Sequence, residues 1–114
     1  MRKHRSHNRA RRWARDNIRD AVNRAALAYL PALLARCLPN GRFIGREYVA
    51  RNPRRQDRQP GSFKINIHTG RWADFATGHK GGDAISLAAH LHGLSQLEAA
   101  RRLAEMLGLQ EFSR

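Results

Sequence analysis

Arginine dominates the side chains of this 114-residue chain that could do chemistry. The stretch Arg51-Asn52-Pro-Arg54-Arg55-Gln-Asp-Arg58, flanked by Arg42 and Arg46, gathers six guanidinium groups. Their planar forks match phosphate oxygens in pairs, and Asn52 or Gln56 could reach sugar or base edges from the same loop. The plainer reading is a solvated loop, but solubility does not require one sign of charge. A second group is Trp72 with Lys64, Asn66 and Arg71. An exposed aromatic among cations can stack an unpaired base, worth about 1–3 kcal/mol in single-strand binders, although a lone tryptophan is more often core. The third is Gly78-His79-Lys80-Gly81-Gly82-Asp83, where glycines and a helix N-terminus favour an anion and Lys80 adds charge. It lacks the spacing and the Lys-Ser/Thr pair of a phosphate-binding P-loop. Asp83 as a cap would also compete with phosphate, so a structural turn is the better reading.

Catalysis and metal binding find less support. His90 and His92 stand two apart on a helix and point about 200° away from each other. His68 and His79 could approach across a hairpin, but no third and fourth zinc ligand follows at a recognisable spacing. Cys37 is the only cysteine, which rules out an internal disulfide; Leu34 and Leu38 beside it suggest a small buried hydrophobe. Asp74 and Asp83 suggest no nucleophile–base pair, and no carboxylate cluster for Mg²⁺ is present. The expectation is a non-enzyme without metal or cofactor.

Lys and Arg number 22 against nine Asp and Glu, a formal net charge of +13, in a chain that is still 41% hydrophobic. Residues 1–24 and 36–71 each carry nine basic and two acidic side chains, whereas 72–114 carry four and five. Such an excess repels itself unless a polyanion receives it, so DNA or RNA leads as partner, met by the first two-thirds of the chain. A membrane surface would attract the same charge. With no run of about 18 apolar residues and no signal-peptide segment, the chain reads as soluble and cytoplasmic, without a membrane partner.

The elements that must position these groups follow from periodicity. Residues 1–12 read as a mobile basic arm, and 13–114 as one domain. In the helical part, 13–39, apolar residues from Ile18 through Val22, Ala26, Leu30 and Leu34 to Cys37 recur every three or four positions. Pro31 must kink or split that helix. The segment 42–80 holds three expected strands: near 44–50, over 63–68 and over 71–75, with 52–61 an exposed loop. Phe63 to His68 alternates apolar and polar and should pair with Arg71–Phe75 through a three-residue loop with Gly70 left-handed. That register stacks Phe63, Ile65 and Ile67 with Ala73 and Phe75 on one face, and Trp72 with Lys64 and Asn66 on the other. A helical pair fills 83–108. Asp83 caps the first helix and Gly93 closes it. Ser95 and Glu98 form a capping box for the second, whose inner stripe is Leu97, Ala100, Leu103, Ala104 and Leu107. The fold class is α+β: a small three-stranded antiparallel sheet packed with an N-terminal helix and two C-terminal helices.

From Gly45 to Leu109 the chain resembles the CHC2-type zinc-ribbon domain of bacterial and phage DNA primases, in the degenerate form found in mobile elements. The residues that carry the likeness are Pro60-Gly-Ser-Phe63, Trp72-Ala-Asp-Phe75, Gly81-Gly82-Asp83-Ala-Ile85 and His92-Gly93-Leu94-Ser95-Gln-Leu-Glu98-Ala99. The family's ligand pairs would fall near Asn52 and Arg55 and near Phe75 and Gly78, so the resemblance implies a metal-free ribbon held by packing of Phe63, Ile65, Trp72 and Phe75. In primases this domain engages single-stranded template beside a separate catalytic domain, which is missing here. Charge, the three candidate groups and the resemblance together give the expectation of a non-catalytic nucleic-acid-binding module related to replication accessory domains, DNA before RNA, that holds its ligand with the N-terminal arm and with Arg42, Arg46, Arg51, Asn52, Arg54, Arg55, Arg58, Lys64, Arg71, Trp72 and Lys80. The alternative is a small phage or plasmid protein whose basic surface binds a replication or host defence protein as inhibitor or adaptor.

Overall fold

The computed structural model describes residues 17–52 and 62–109; the arm 1–12 and Arg54, Arg55 and Arg58 lie outside them. The class is α+β. Helix α1 runs over 17–28, Tyr29 breaks it, and α2 follows over Leu30–Cys37. Pro31 explains the break: it occupies the first turn of α2, the place where a missing backbone N–H costs least. The buried stripe Val22, Ala26, Leu30, Leu34 passes across both helices with the expected spacing.

The sheet has five strands where three were expected: β1 Arg42–Ile44, β2 Glu47–Ala50, β3 Phe63–Asn66, β4 Trp72–Asp74 and β5 Lys80–Gly81. They form an antiparallel meander in that order. What reads as one strand near 44–50 is the end of a hairpin. Ile44 pairs with Glu47 around a two-residue turn, Gly45-Arg46. Gly45 has φ +59, the left-handed conformation that a tight hairpin of this kind needs at its first central residue. At the far edge, the glycine-rich connection turns back on β4 as β5.

Register is the larger correction. Ile65 pairs with Trp72, and Phe63 with Asp74, around a four-residue loop, 67–70. The Asn66 amide donates to the Arg71 carbonyl (2.7 Å), and the Gly70 amide to that of Asn66 (2.8 Å). Gly70 is left-handed as expected, φ +79. The loop is one residue longer than expected, and a slip of one residue turns every side chain of β4 to the opposite face. Trp72 therefore joins Phe63 and Ile65 in the core, while Phe75 is 70% exposed.

Helices cover one face of the sheet. Leu30, Leu34 and Leu38 pack with Tyr48, Ala50, Phe63, Ile65, Trp72 and Leu87 in one cluster. A second joins α1 to α3 (Ala84–His92) and α4 (Gln96–Met106) through Val22, Ala26, Ile85, Ala89, Ala99, Ala100, Leu103 and Ala104. Its many alanines let the helix backbones approach closely. Asn23 clamps α1 onto the start of α3: its Oδ1 accepts from the Ile85 amide (3.0 Å) and its Nδ2 donates to Asp83 Oδ2 (3.2 Å). Asp83 caps α3 in a reciprocal box with Ser86, and Gly93 ends it left-handed. Ser95 caps α4 by accepting from the Glu98 amide (3.1 Å). Glu98 does not complete the expected box; its carboxylate turns to Arg102 (3.4 Å) and Arg101 (3.9 Å). Leu97, expected in the inner stripe, is exposed, and Ala99 is buried in its place. Cys37, expected to be buried, is exposed at the end of α2.

Candidate nucleic-acid interface

The second face of the sheet carries the basic residues. One cross-strand row runs Arg42–Val49–Lys64–Ala73–Lys80 through all five strands. Cations alternate along it with small or β-branched apolar residues. Strand spacing gives the row a span of about 19 Å between the outer Cα atoms. The neighbouring row is Ile44–Glu47–Asn66, continued by Arg71, whose carbonyl holds the Asn66 amide. Two residues beyond Ala73, on the same side of the pleat, Phe75 stands with Lys64 Nζ 5.7 Å from its ring centroid. Glu47, Lys64, Asn66, Arg71, Ala73, Phe75 and Lys80 line an open groove of about 720 Å³ on this face. Glu47 is the acid among them and lowers the local potential beside Arg71 and Lys64.

The structure thus brings Arg42, Lys64, Arg71 and Lys80 onto one surface. Arg46 sits exposed in the β1–β2 turn, its carbonyl accepting from the Ile67 amide (2.8 Å). Arg51 is exposed just past β2. Two expected contact residues face inward instead. Trp72 is 6% exposed; its Nε1 donates to Ser86 Oγ (3.0 Å), and its ring lies 4.7 Å from His90 and 5.9 Å, edge-on, from Phe63. A Cβ on Gly81 would overlap the indole, so only glycine lets β5 pass this close. Asn52 is 1% exposed, and its Nδ2 contacts Asp74 Oδ2 (2.8 Å) and His90 Nε2 (2.9 Å). Neither is an exposed platform. Phe75 was missed because the shorter loop would have placed it in the core. The signal that could have found it was its place four residues past Arg71, once the loop length is known.

In the loop before α3 the Asp83 carboxylate caps the helix N-terminus, as expected, by accepting from the Ser86 amide (2.8 Å). An anion there would meet a like charge. The positions where the resemblance would put zinc ligands, as far as they are described, do not suit the metal. Asn52 is engaged as a donor, Phe75 and Gly78 bring no side-chain ligand, and no group of three His, Cys, Asp or Glu among the described residues could hold a metal ion. His79 lies beside His90, with ring centroids 5.4 Å apart, whereas His68 sits in the β3–β4 loop. Although Cys37 is exposed as a residue, desolvation at its partly covered thiol raises it above its usual range, and the Arg36 charge acts in the opposite direction. A further depression of about 190 Å³ between α2, α3 and α4 has mostly apolar walls, with Cys37, His92 and Arg102 also in its lining.

Among the described residues no helix is long and apolar enough to cross a membrane. No protein-family model matches the sequence, and comparison with curated proteins found no match.

Proposed function

We propose that the open face of the sheet holds nucleic acid, single-stranded DNA first, and that the chain acts as a non-catalytic accessory module. The row Arg42–Lys64–Lys80 carries this reading. Three cations lie on one line across an antiparallel sheet whose other face is filled by the core, with Arg71 alongside. Such a stripe tracks a phosphate backbone better than it tracks a compact anion. Phe75 beside Lys64 adds an exposed aromatic on which one base can stack. The likeness to primase zinc ribbons favours DNA and single strands, and the charge of the whole chain, +13, favours a polyanion of either kind.

The test is binding of labelled single- and double-stranded oligonucleotides across a salt series, for the wild type and for Arg42→Ala/Lys64→Ala/Lys80→Ala. Each cation that neutralises a phosphate of a single strand adds about 0.7 to the slope of log affinity against log salt, so the triple variant should show a slope shallower by about 2. Duplex should bind less tightly than single strand. If the slope is unchanged in the variant, the basic surface serves a protein partner, the inhibitor or adaptor role, and pull-down from a host extract becomes the next experiment.

A further inference from the structure

We infer that Asn52 is a positioning residue for the aromatic end of this face: it acts on nucleic acid through Phe75 without touching the ligand. The inference rests on the nucleic-acid reading above. Asn52 leaves the end of β2 and is buried against the last residue of β4, Asp74, which is itself fully buried. The Asp74 carboxylate accepts from Asn52 Nδ2 at 2.8 Å. The amide end of the carboxamide thus faces Asp74, and its nitrogen can only donate. The second hydrogen of the same nitrogen points to His90 Nε2, 2.9 Å away. One amide group therefore bridges β2, β4 and α3.

Asp74 in turn organises the loop that carries the site. Its Oδ1 accepts from the Ala76 amide (3.0 Å), its carbonyl from the Gly78 (2.8 Å) and Thr77 (3.3 Å) amides, and its own amide donates to the His79 carbonyl (2.7 Å). The far end of the loop is held near the same node, because the His79 ring packs on His90 and Thr77 Oγ1 lies 3.2 Å from His79 Nδ1. The loop so fixed begins with Phe75 and delivers Lys80 into the cation row. Lys64 and Arg42 stand on β3 and β1, each also held by β2; β3 meets the node as well, since Phe63 faces Asp74 and the Phe75 amide donates to the Ser62 carbonyl (2.8 Å). Loss of Asn52 should therefore loosen the 75–79 loop that sets the Phe75 ring, while the Phe75 amide stays on Ser62 and Lys64 and Arg42 stay in place through β2.

The experiment is a double-mutant cycle on the full chain, read by anisotropy with a labelled oligothymidine and, as a probe without bases, inorganic polyphosphate. Phe75→Ala should weaken oligothymidine binding about 5- to 150-fold, the span of one aromatic–base stack. Asn52→Ala should weaken it by nearly as much, and should weaken polyphosphate binding far less, by no more than Lys80→Ala does. In the double variant the two losses should not multiply, whereas Asn52→Ala and Arg42→Ala should multiply. Melting curves establish that each variant is folded at the assay temperature. Should the alanine variant not fold, Asn52→Ser, which keeps a single donor, takes its place with a smaller loss and the same coupling. Multiplying losses at Asn52 and Phe75, or equal losses on both probes, would overturn the inference. A wild type that binds neither probe removes the nucleic-acid reading itself. Binding that is strong but indifferent to Phe75→Ala removes only the positioning role.

Discussion

Ile65 and Trp72 stand directly opposite each other on β3 and β4, and this pairing decides which aromatic of the hairpin meets solvent. Trp72 fills the core between Phe63 and His90, and Phe75 is left on the basic face. Trp72→Ala should cost about 3–5 kcal/mol of stability, the range for deleting a buried large aromatic, measured by denaturant unfolding. Its effect on oligonucleotide binding, at temperatures where the variant is folded, should be smaller than that of Phe75→Ala. The reverse order would place the tryptophan at the ligand.

The clamp of α1 on α3 rests on one carboxamide, since Asn23 satisfies the Ile85 amide and meets Asp83. Asn23→Ala should destabilise the fold by about 1–3 kcal/mol, the cost of leaving a partly buried amide without its acceptor. Amide exchange should quicken at the first turn of α3 before it quickens in the sheet.

At Gly45 the backbone is left-handed, φ +59, with open space where a Cβ would stand. Conformation alone therefore sets the cost. Gly45→Ala should destabilise by about 1–2 kcal/mol, and the effect should be concentrated in β1, which carries Arg42. Chemical-shift changes confined to the β1–β2 hairpin would bear this out.

Partial burial at Cys37 holds its thiol above the usual range. A raised value means less thiolate at neutral pH, so alkylation by iodoacetamide should be slow at pH 7 and should climb only well into the alkaline range. Fast labelling at neutral pH would contradict this. Cys37→Ser should leave oligonucleotide binding unchanged.

Much of this architecture was legible in the sequence because helices repeat their signal over many residues. Val22, Ala26, Leu30 and Leu34 keep one stripe through about three turns, Pro31 announces the break between α1 and α2, and Asp83, Gly93 and Ser95 mark helix ends by capping chemistry. The sheet was harder to read. Its strands are two to four residues long, too short for alternation to accumulate, and two of them hide in glycine-containing turns. Loop length between β3 and β4 could not be fixed by Thr69-Gly70 alone, and one residue of error exchanged the faces of Trp72 and Phe75. Of the expected contact residues, Arg42, Lys64, Arg71 and Lys80 converge because alternation and pairing place them on one side. Asn52 is drawn inward because Asp74 and His90, distant in sequence, need its donors. That is a long-range requirement with no local sequence signature.

On the proposed function, position on the sheet and not total charge makes the binding surface. The most direct measurement compares two variants that each remove three positive charges: Arg42→Ala/Lys64→Ala/Lys80→Ala on the sheet, and Arg19→Ala/Arg101→Ala/Arg102→Ala on the helical side. Single-stranded DNA affinity is measured for both near physiological salt. The sheet variant should lose most of its binding and about 2 from its salt slope, while the helical variant stays close to wild type. Equal losses in the two variants would contradict the account and reduce the attraction to net charge alone.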